Sequence, residues 1–381
     1  MAWIRNRPLG LVYRDPALAD AGYTLFSSVE GDHATLLDPE GRIVHRWVHP
    51  EGIQYARLLP DGHLLFHTSN PAHTLPPEQV SPVGVIGGAA HALIELDWDG
   101  TRVWEYRHQQ MHHDFVRLPN GNHVLLFWEV LPDEVRRQVR GGFQRPEDPD
   151  VMLGDVVREV ARSGKVVREW RSWEHFDFAQ DVLCPLERRH EWTHTNGIAV
   201  TPDGRWLLSF RQTDTVAIVD PATGDLDWKW GPGVLSHQHH PTMLPNGHVL
   251  LFDNGPHRRG GPGYSRVLEV DPATNEIVWR YQAKVILAFM SFMVSGAERL
   301  ANGNTLITEG ATGRIFEVTA EGETVWEYVS GFTFEARFGP TPAVFRAHRY
   351  PLDDPRFSGR SLDPARWADA TRRLATGERP Y

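Results

Sequence analysis

Val219-Asp220-Pro221-Ala222-Thr223-Gly224-Asp225-Leu226-Asp227-Trp228-Lys229-Trp230, preceded by the turn Pro202-Asp203-Gly204 and the run Trp206-Leu207-Leu208-Ser209-Phe210, decides the fold. An apolar run, an acidic or glycine turn and a second run ending in Trp or Tyr recur elsewhere. The other copies are Leu37-Asp38-Pro39 to Trp47, Glu95-Leu96-Asp97 to Tyr106, Glu159-Val160 to Trp170, Glu269-Val270-Asp271 to Tyr281, and Glu317-Val318 to Tyr328. Between them lie Pro60-Asp61-Gly62, Pro119-Asn120-Gly121, Pro245-Asn246-Gly247 and Ala301-Asn302-Gly303, each ahead of an apolar run. Asp-Gly and Asn-Gly between apolar runs signal tight hairpins, with both central residues expected at positive φ. Two hairpins per repeat make a four-stranded unit, and a period of roughly 45 to 60 residues is that of propeller blades.

Five units are complete, with inner strands starting near Gln54, His113, His194, His239 and Ser295. The sixth needs both ends of the chain: Val344 to Pro351 supplies an inner strand, while Gly22 to Phe26 and Ala34 to Trp47 supply the other three. The expected fold is therefore all-β, a six-bladed β-propeller of four-stranded antiparallel blades spanning 1–381 as one domain, closed by the C-terminal strand joining the N-terminal blade, which leaves no free sheet edge. Segments 129–155 and 172–191 read as insertions able to form a lid over the channel mouth, and 355–381 reads as a peripheral tail, weakly helical over Arg366 to Leu374.

The chain has 381 residues, 41% of them apolar, and a formal net charge of −10. Without a basic run it lacks the clustered Lys and Arg that nucleic acid requires, and no apolar run approaches the roughly 20 residues of a membrane span. Cys184 stands alone, so no internal disulfide is available. The first eight residues lack the apolar stretch of an export signal. Together these features predict a cytoplasmic protein whose partner is a small aromatic or anionic molecule.

Counting six positions back from each turn's first residue gives Gln54, His113, Asn196, His239 and Ser295, with Phe345 in the assembled blade. Five of these six are polar at inner-strand positions where Val, Ile or Leu is the default. His194 lies two residues before Asn196, on the same strand face. His113, His194 and His239, from three successive blades, are thus expected at one mouth of the propeller, where imidazoles can serve as nucleophile, acid/base or metal ligands. Arg211 follows the strand ending at Phe210 and returns to the same end, where its fork suits a tetrahedral anion. Arg258, Arg259 and Arg266 read as solvated. His190-Glu191-Trp192-Thr193-His194 matches the zinc-protease string H-E-x-x-H, which has force only on a helix; Trp and Thr here favour strand.

The ordered set Glu191-Trp192-Thr193-His194-Thr195-Asn196-Gly197-Ile198, Ser209-Phe210-Arg211, Gln238-His239 and Leu251-Phe252-Asp253-Asn254-Gly255, with His113-Asp114 before it and Ser265 to Glu269 after it, resembles the bacterial aryl-sulfate sulfotransferases. The resemblance implies a six-bladed propeller and transfer of a sulfuryl group from an aryl sulfate to a phenol without the nucleotide donor PAPS. It implies that His239 is transiently sulfurylated, that His113, His194 and Arg211 bind the sulfuryl oxygens, and that no cofactor takes part; Asn196, and at the same rung Gln54 and Ser295, would be substrate contacts. The exported members carry a disulfide that this chain cannot form. Two other readings of the same residues stand beside it: a lyase or hydrolase in which His113, His194 and His239 hold one divalent metal ion, and a non-catalytic binding propeller.

Overall fold

The computed structural model describes residues 8–75, 77–80, 86–148, 150–336 and 339–376. The first seven residues, on which the reading about an export signal mainly rests, lie outside the described set. The fold is a six-bladed β-propeller of four-stranded antiparallel blades. By internal contacts the chain divides into two units, Met1–Arg107 with Met293–Tyr381, and His108–Phe292, each carrying three blades.

In the first unit, the assembled blade forms as the repeats predict. Val344–Tyr350 pairs antiparallel with Tyr23–Ser28, which continues through His33–Leu37 to Ile43–Val48. Tyr55–Leu58, Leu64–His67, Ala92–Leu96 and Arg102–Arg107 make the next blade. Gly296–Arg299, Thr305–Glu309, Arg314–Val318 and Thr324–Val329 make the third, and Gly10–Arg14 pairs with its outer strand, so this sheet has a fifth member that the repeat pattern did not announce. The tail holds the helix Ala368–Thr376, whose Leu374 is buried with Trp326 and Tyr328.

The second unit holds Met111–Arg117, His123–Val130, Leu153–Val160 and Val166–Arg171; then Thr195–Val200, Trp206–Phe210, Thr215–Val219 and Leu226–Trp230; then His239–Met243, Val249–Asp253, Arg266–Asp271 and Glu276–Tyr281. The first insertion is narrower than 129–155, because strand structure runs through Val130 and resumes at Leu153, while the second lies between the strands that end at Arg171 and begin at Thr195. They are also joined: Gly141–Phe143 of the first pairs in parallel with Leu183–Arg188 of the second.

Four tryptophans of the outer strands have a mechanical role. Trp47 Nε1 donates to the Asp97 carbonyl at 3.1 Å, Trp170 to Gly224 at 3.0 Å and Trp326 to Pro39 at 2.9 Å. Each outer-strand indole thus latches onto the outer turn of a neighbouring blade within its own unit, which satisfies its N–H while its rings fill the space between the two sheets. Trp228 does the same with the Asn275 side chain.

The inner turns differ from expectation in one respect. Gly62, Gly121, Gly204, Gly247 and Gly303 have φ between 82° and 88°, but the Asp or Asn before each is absent from the residues with positive φ. Proline fixes an ordinary negative φ at the first central position of most of these turns, so the loop is a type I turn closed by a left-handed glycine, and only the glycine needs the freedom of lacking Cβ.

Candidate active site

The second unit carries twelve of the chain's histidines. Two that the rung count placed on regular strands, His113 and His194, have φ of 53° and 50°, and His237 has φ of 58°. Each inner strand of this unit also slips register at its start, between His112 and Phe115, between Thr195 and Gly197, and between His239 and Thr242. A bulge of this kind bends the strand and re-aims a side chain, and left-handed backbone at a non-glycine costs of order 1–3 kcal/mol that the surroundings must hold in place. Asp114 contributes to that hold by accepting from the backbone N–H of Ile198 in the next blade at 3.1 Å.

His113 and His194 meet as predicted, their rings 4.5 Å apart and nearly perpendicular. His113 is buried and shares an Nδ1 to Nδ1 hydrogen bond of 2.9 Å with His112, which stacks on Trp128 at 4.0 Å and places Nε2 3.3 Å from Asp155. Burial, and then the charges that His194, His112, His239 and Arg211 carry when protonated, hold His113 well below the ordinary imidazole range. His239, expected here from the rung count, and Arg211, expected from the strand ending at Phe210, are both among the charges acting on His113. Burial likewise pushes the Asp155 carboxyl up to about 6, even though it accepts from Thr193 Oγ1 and from the Thr195 N–H.

His194 Nδ1 lies 2.6 Å from Glu191 Oε2, and His190 Nε2 lies 3.1 Å from the other oxygen of that carboxylate. The H-E-x-x-H string thus folds as an irregular turn in which the glutamate bridges both histidines. Burial pushes Glu191 upward, but the two imidazoles outweigh it and leave the carboxyl below the usual range.

His239 is the most firmly oriented of the group. Its Nδ1 sits 2.7 Å from Asn254 Oδ1 and 3.1 Å from the His237 carbonyl. Asn254 Nδ2 donates to the Ser291 carbonyl at 2.8 Å, which fixes the amide so that its oxygen faces the imidazole. With two acceptors against it, Nδ1 must carry the proton, and in the neutral ring Nε2 is then the basic nitrogen. Asn196 braces the same strand by donating to the Gln238 carbonyl at 2.8 Å, and Gln238 Nε2 bonds to Ser209, Phe210 and Thr215 of the preceding blade.

Arg211 follows its strand in the short 3-10 turn Arg211–Thr213, with its Nη1 3.0 Å from Glu187 of the second insertion. Arg258 and Arg266, read as solvated, instead converge on buried Asp253, each 2.8 Å from Oδ2 by its Nη2 and Nε respectively. A buried carboxylate needs such partners. Gln54 and Ser295 lie in the first unit. Gln54 Nε2 contacts the Gly88 carbonyl at 3.4 Å, and Ser295 Oγ accepts from the Gly310 N–H at 3.0 Å, so both side chains make local backbone bonds.

Sequence reasoning missed His237, Glu187, Asn254 and Glu191 as parts of this site. Asn254 and Glu191 stood inside the quoted motifs, and a glutamate three residues before a histidine was a readable signal. The described residues contain two groups of three ligand-type side chains whose donor atoms all fall within 4.8 Å of one another, Cys184 with His237 and His257, and Asp61 with His63 and Glu95; the trio His113, His194 and His239 is not one of them.

Among solved structures, a protein of unknown function from Bacteroides caccae is 16% identical, covers 87% of this chain and 99% of its own, and superposes with a TM-score of 0.54, which supports the fold alone. A streptogramin B lyase (12% identity, TM-score 0.47, 89% of this chain and 96% of that one) and a virginiamycin B lyase from Staphylococcus aureus (12%, 0.46, 85% of each) are more distant and carry no argument. No curated protein matches the chain. The arylsulfotransferase (ASST) family profile matches residues 91–331, well over half the sequence and the whole histidine-bearing unit, so the chain belongs to the arylsulfotransferase family.

Proposed function

We propose that the protein is a PAPS-independent aryl-sulfate sulfotransferase in which His239 Nε2 is the nucleophile. The observation that carries this reading is the pair of acceptors, Asn254 Oδ1 and the His237 carbonyl, at His239 Nδ1. They leave Nε2 with the lone pair and compensate Nδ1–H as positive charge develops on the ring.

In the first half-reaction an N–S bond forms as the S–O bond to the aryl oxygen breaks, and the phenolate departs with that electron pair. His194, held by Glu191, gives it a proton. In the second, the oxygen of an acceptor phenol attacks the same sulfur, the N–S bond breaks, and the phenol proton returns to His194. Arg211 and His113 supply N–H groups to the sulfuryl oxygens, and each such donor is worth about 10²–10³ in rate where water is excluded. Asn196 acts by bracing the strand of His239. Among the described residues no helix is long and apolar enough to cross a membrane.

The test is intact-mass measurement after mixing with an aryl sulfate alone. One sulfuryl adduct on the wild type and none on His239→Asn is expected. An adduct that persists in the variant, or a wild type that turns over the ester without one, overturns the assignment.

A further inference from the structure

Beside the nucleophile lies a second group of side chains that sulfuryl transfer does not use. His237 is fully buried, yet neither ring nitrogen has a hydrogen-bond partner, and its backbone is held at φ 58° by the Asp214 carboxylate, which accepts its N–H at 2.8 Å. A buried imidazole with both nitrogens unsatisfied carries a desolvation cost, and here it comes on top of backbone strain. Such a group is expected to have a ligand.

The neighbours supply the chemistry. The His257 ring stands 4.4 Å from that of His237 and perpendicular to it, and His257 Nδ1 is 3.4 Å from Cys184 Sγ. Glu187 Oε1 is 3.6 Å from His237 Nδ1 and 3.8 Å from His257 Nδ1. For a tetrahedral zinc ion, with Zn–S near 2.3 Å and Zn–N near 2.05 Å, the edges between ligand atoms run roughly 3.3–3.6 Å. These separations are close to that size already.

We infer that Cys184, His237, His257 and Glu187 form a binding site for a zinc-like divalent ion. Thiolate with two imidazoles selects zinc, and cobalt as its spectroscopic substitute, over magnesium or calcium, which want oxygen ligands. Cys184 and Glu187 come from the second insertion, His237 from the approach to the third inner strand of this unit, and His257 from the loop after Asp253. The ion would therefore tie the insertion to the blade that carries His239. Because His257 and Cys184 remain partly exposed, the site has a path to solvent.

The experiment titrates cobalt(II) into the purified, chelator-treated full chain. One equivalent is expected to bind with a thiolate-to-cobalt charge-transfer band and the strong visible bands of tetrahedral coordination, and zinc is expected to displace it. Cys184→Ser should remove the charge-transfer band, and His257→Asn should weaken binding at least about tenfold, with unchanged circular dichroism reporting that both variants fold. Zinc should also raise the melting temperature of the wild type and leave that of the double variant unmoved. A wild type without the charge-transfer band, a band that survives Cys184→Ser, or unchanged affinity in His257→Asn each overturns the site. None of these readouts depends on sulfuryl transfer, so failure here and failure of the His239 assignment are separable.

Discussion

His239 Nδ1 and Asn254 Oδ1 are 2.7 Å apart, and the amide is locked in that orientation by the Ser291 carbonyl behind it. A nucleophilic imidazole must keep its proton on the far nitrogen, and this contact supplies that constraint from a residue fifteen positions away. Asn254→Ala leaves only the His237 carbonyl to hold the tautomer, and a loss of about 10- to 100-fold in kcat with little change in KM is expected, by analogy with removal of groups that orient metal-bound histidines. Asn254→Asp keeps an acceptor and should retain more activity than the alanine variant. Single-turnover measurement of adduct formation checks both, and equal losses in the two variants would show that an acceptor at Nδ1 is not what this position contributes.

Glu187 and Arg211 form a pair with Nη1 to Oε1 at 3.0 Å, each side chain about one-fifth exposed. In the proposed reaction an entering sulfuryl group would compete with that carboxylate for the guanidinium. Arg211→Ala should raise KM and lower kcat together, by about 10²-fold in kcat/KM. Glu187→Gln removes the competitor, so inorganic sulfate should inhibit this variant about two- to tenfold more strongly than the wild type at low salt, and the difference should shrink as ionic strength rises. A Glu187→Gln variant with weaker sulfate inhibition would place the anion elsewhere.

Asp155 gives a pH-dependent signature. Burial raises its carboxyl to about 6, while the unfolded chain titrates near 3.8. The folded state thus binds the proton more tightly than the unfolded one, and the stability this group contributes is present at low pH and lost as pH rises through about 6. Asp155→Asn lacks that titration. Relative to wild type, the variant should look progressively less destabilised between about pH 4 and about pH 6.5, on top of a constant cost for the bonds to Thr193 and the Thr195 N–H. Thermal melts of the two proteins across that range decide it; a gap that widens with pH would mean the carboxylate is stabilised by its neighbours rather than penalised.

The blades were readable because their signals are local: a turn ending in glycine and an aromatic Trp or Tyr at the end of the outer strand are set by residues within a few positions of one another. The site was readable only in part. Counting rungs found His113, His194 and His239 because inner strands start at equivalent places, but it assumed regular pleating, and the bulges with left-handed histidines are imposed by tertiary contacts such as Asp114 to Ile198 rather than by any preference of histidine. Glu187, Glu191 and Cys184 come from insertions that have no counterpart in the repeat, so no register argument reaches them. The expectation of two positive φ values per inner turn failed because proline occupies the first central position in four of the five turns.

The indole latches offer a test of what the repeat is for. Trp326 is fully buried, and its bond to the Pro39 carbonyl is sealed from water, whereas Trp228 is partly exposed and bonds to an Asn275 side chain that solvent can replace. Phenylalanine at either position removes the N–H. At Trp326 it also leaves a buried carbonyl without its donor and a gap where the second ring was, for a combined cost of about 2–4 kcal/mol. At Trp228 water takes over the bond, and the cost should stay within about 1 kcal/mol. Denaturant unfolding of Trp326→Phe and Trp228→Phe measures both. Equal costs would show that the hydrogen bond matters independently of its surroundings; a large difference would assign the recurring outer-strand tryptophan to burial of the indole between blades, with the N–H contact there to prevent a penalty.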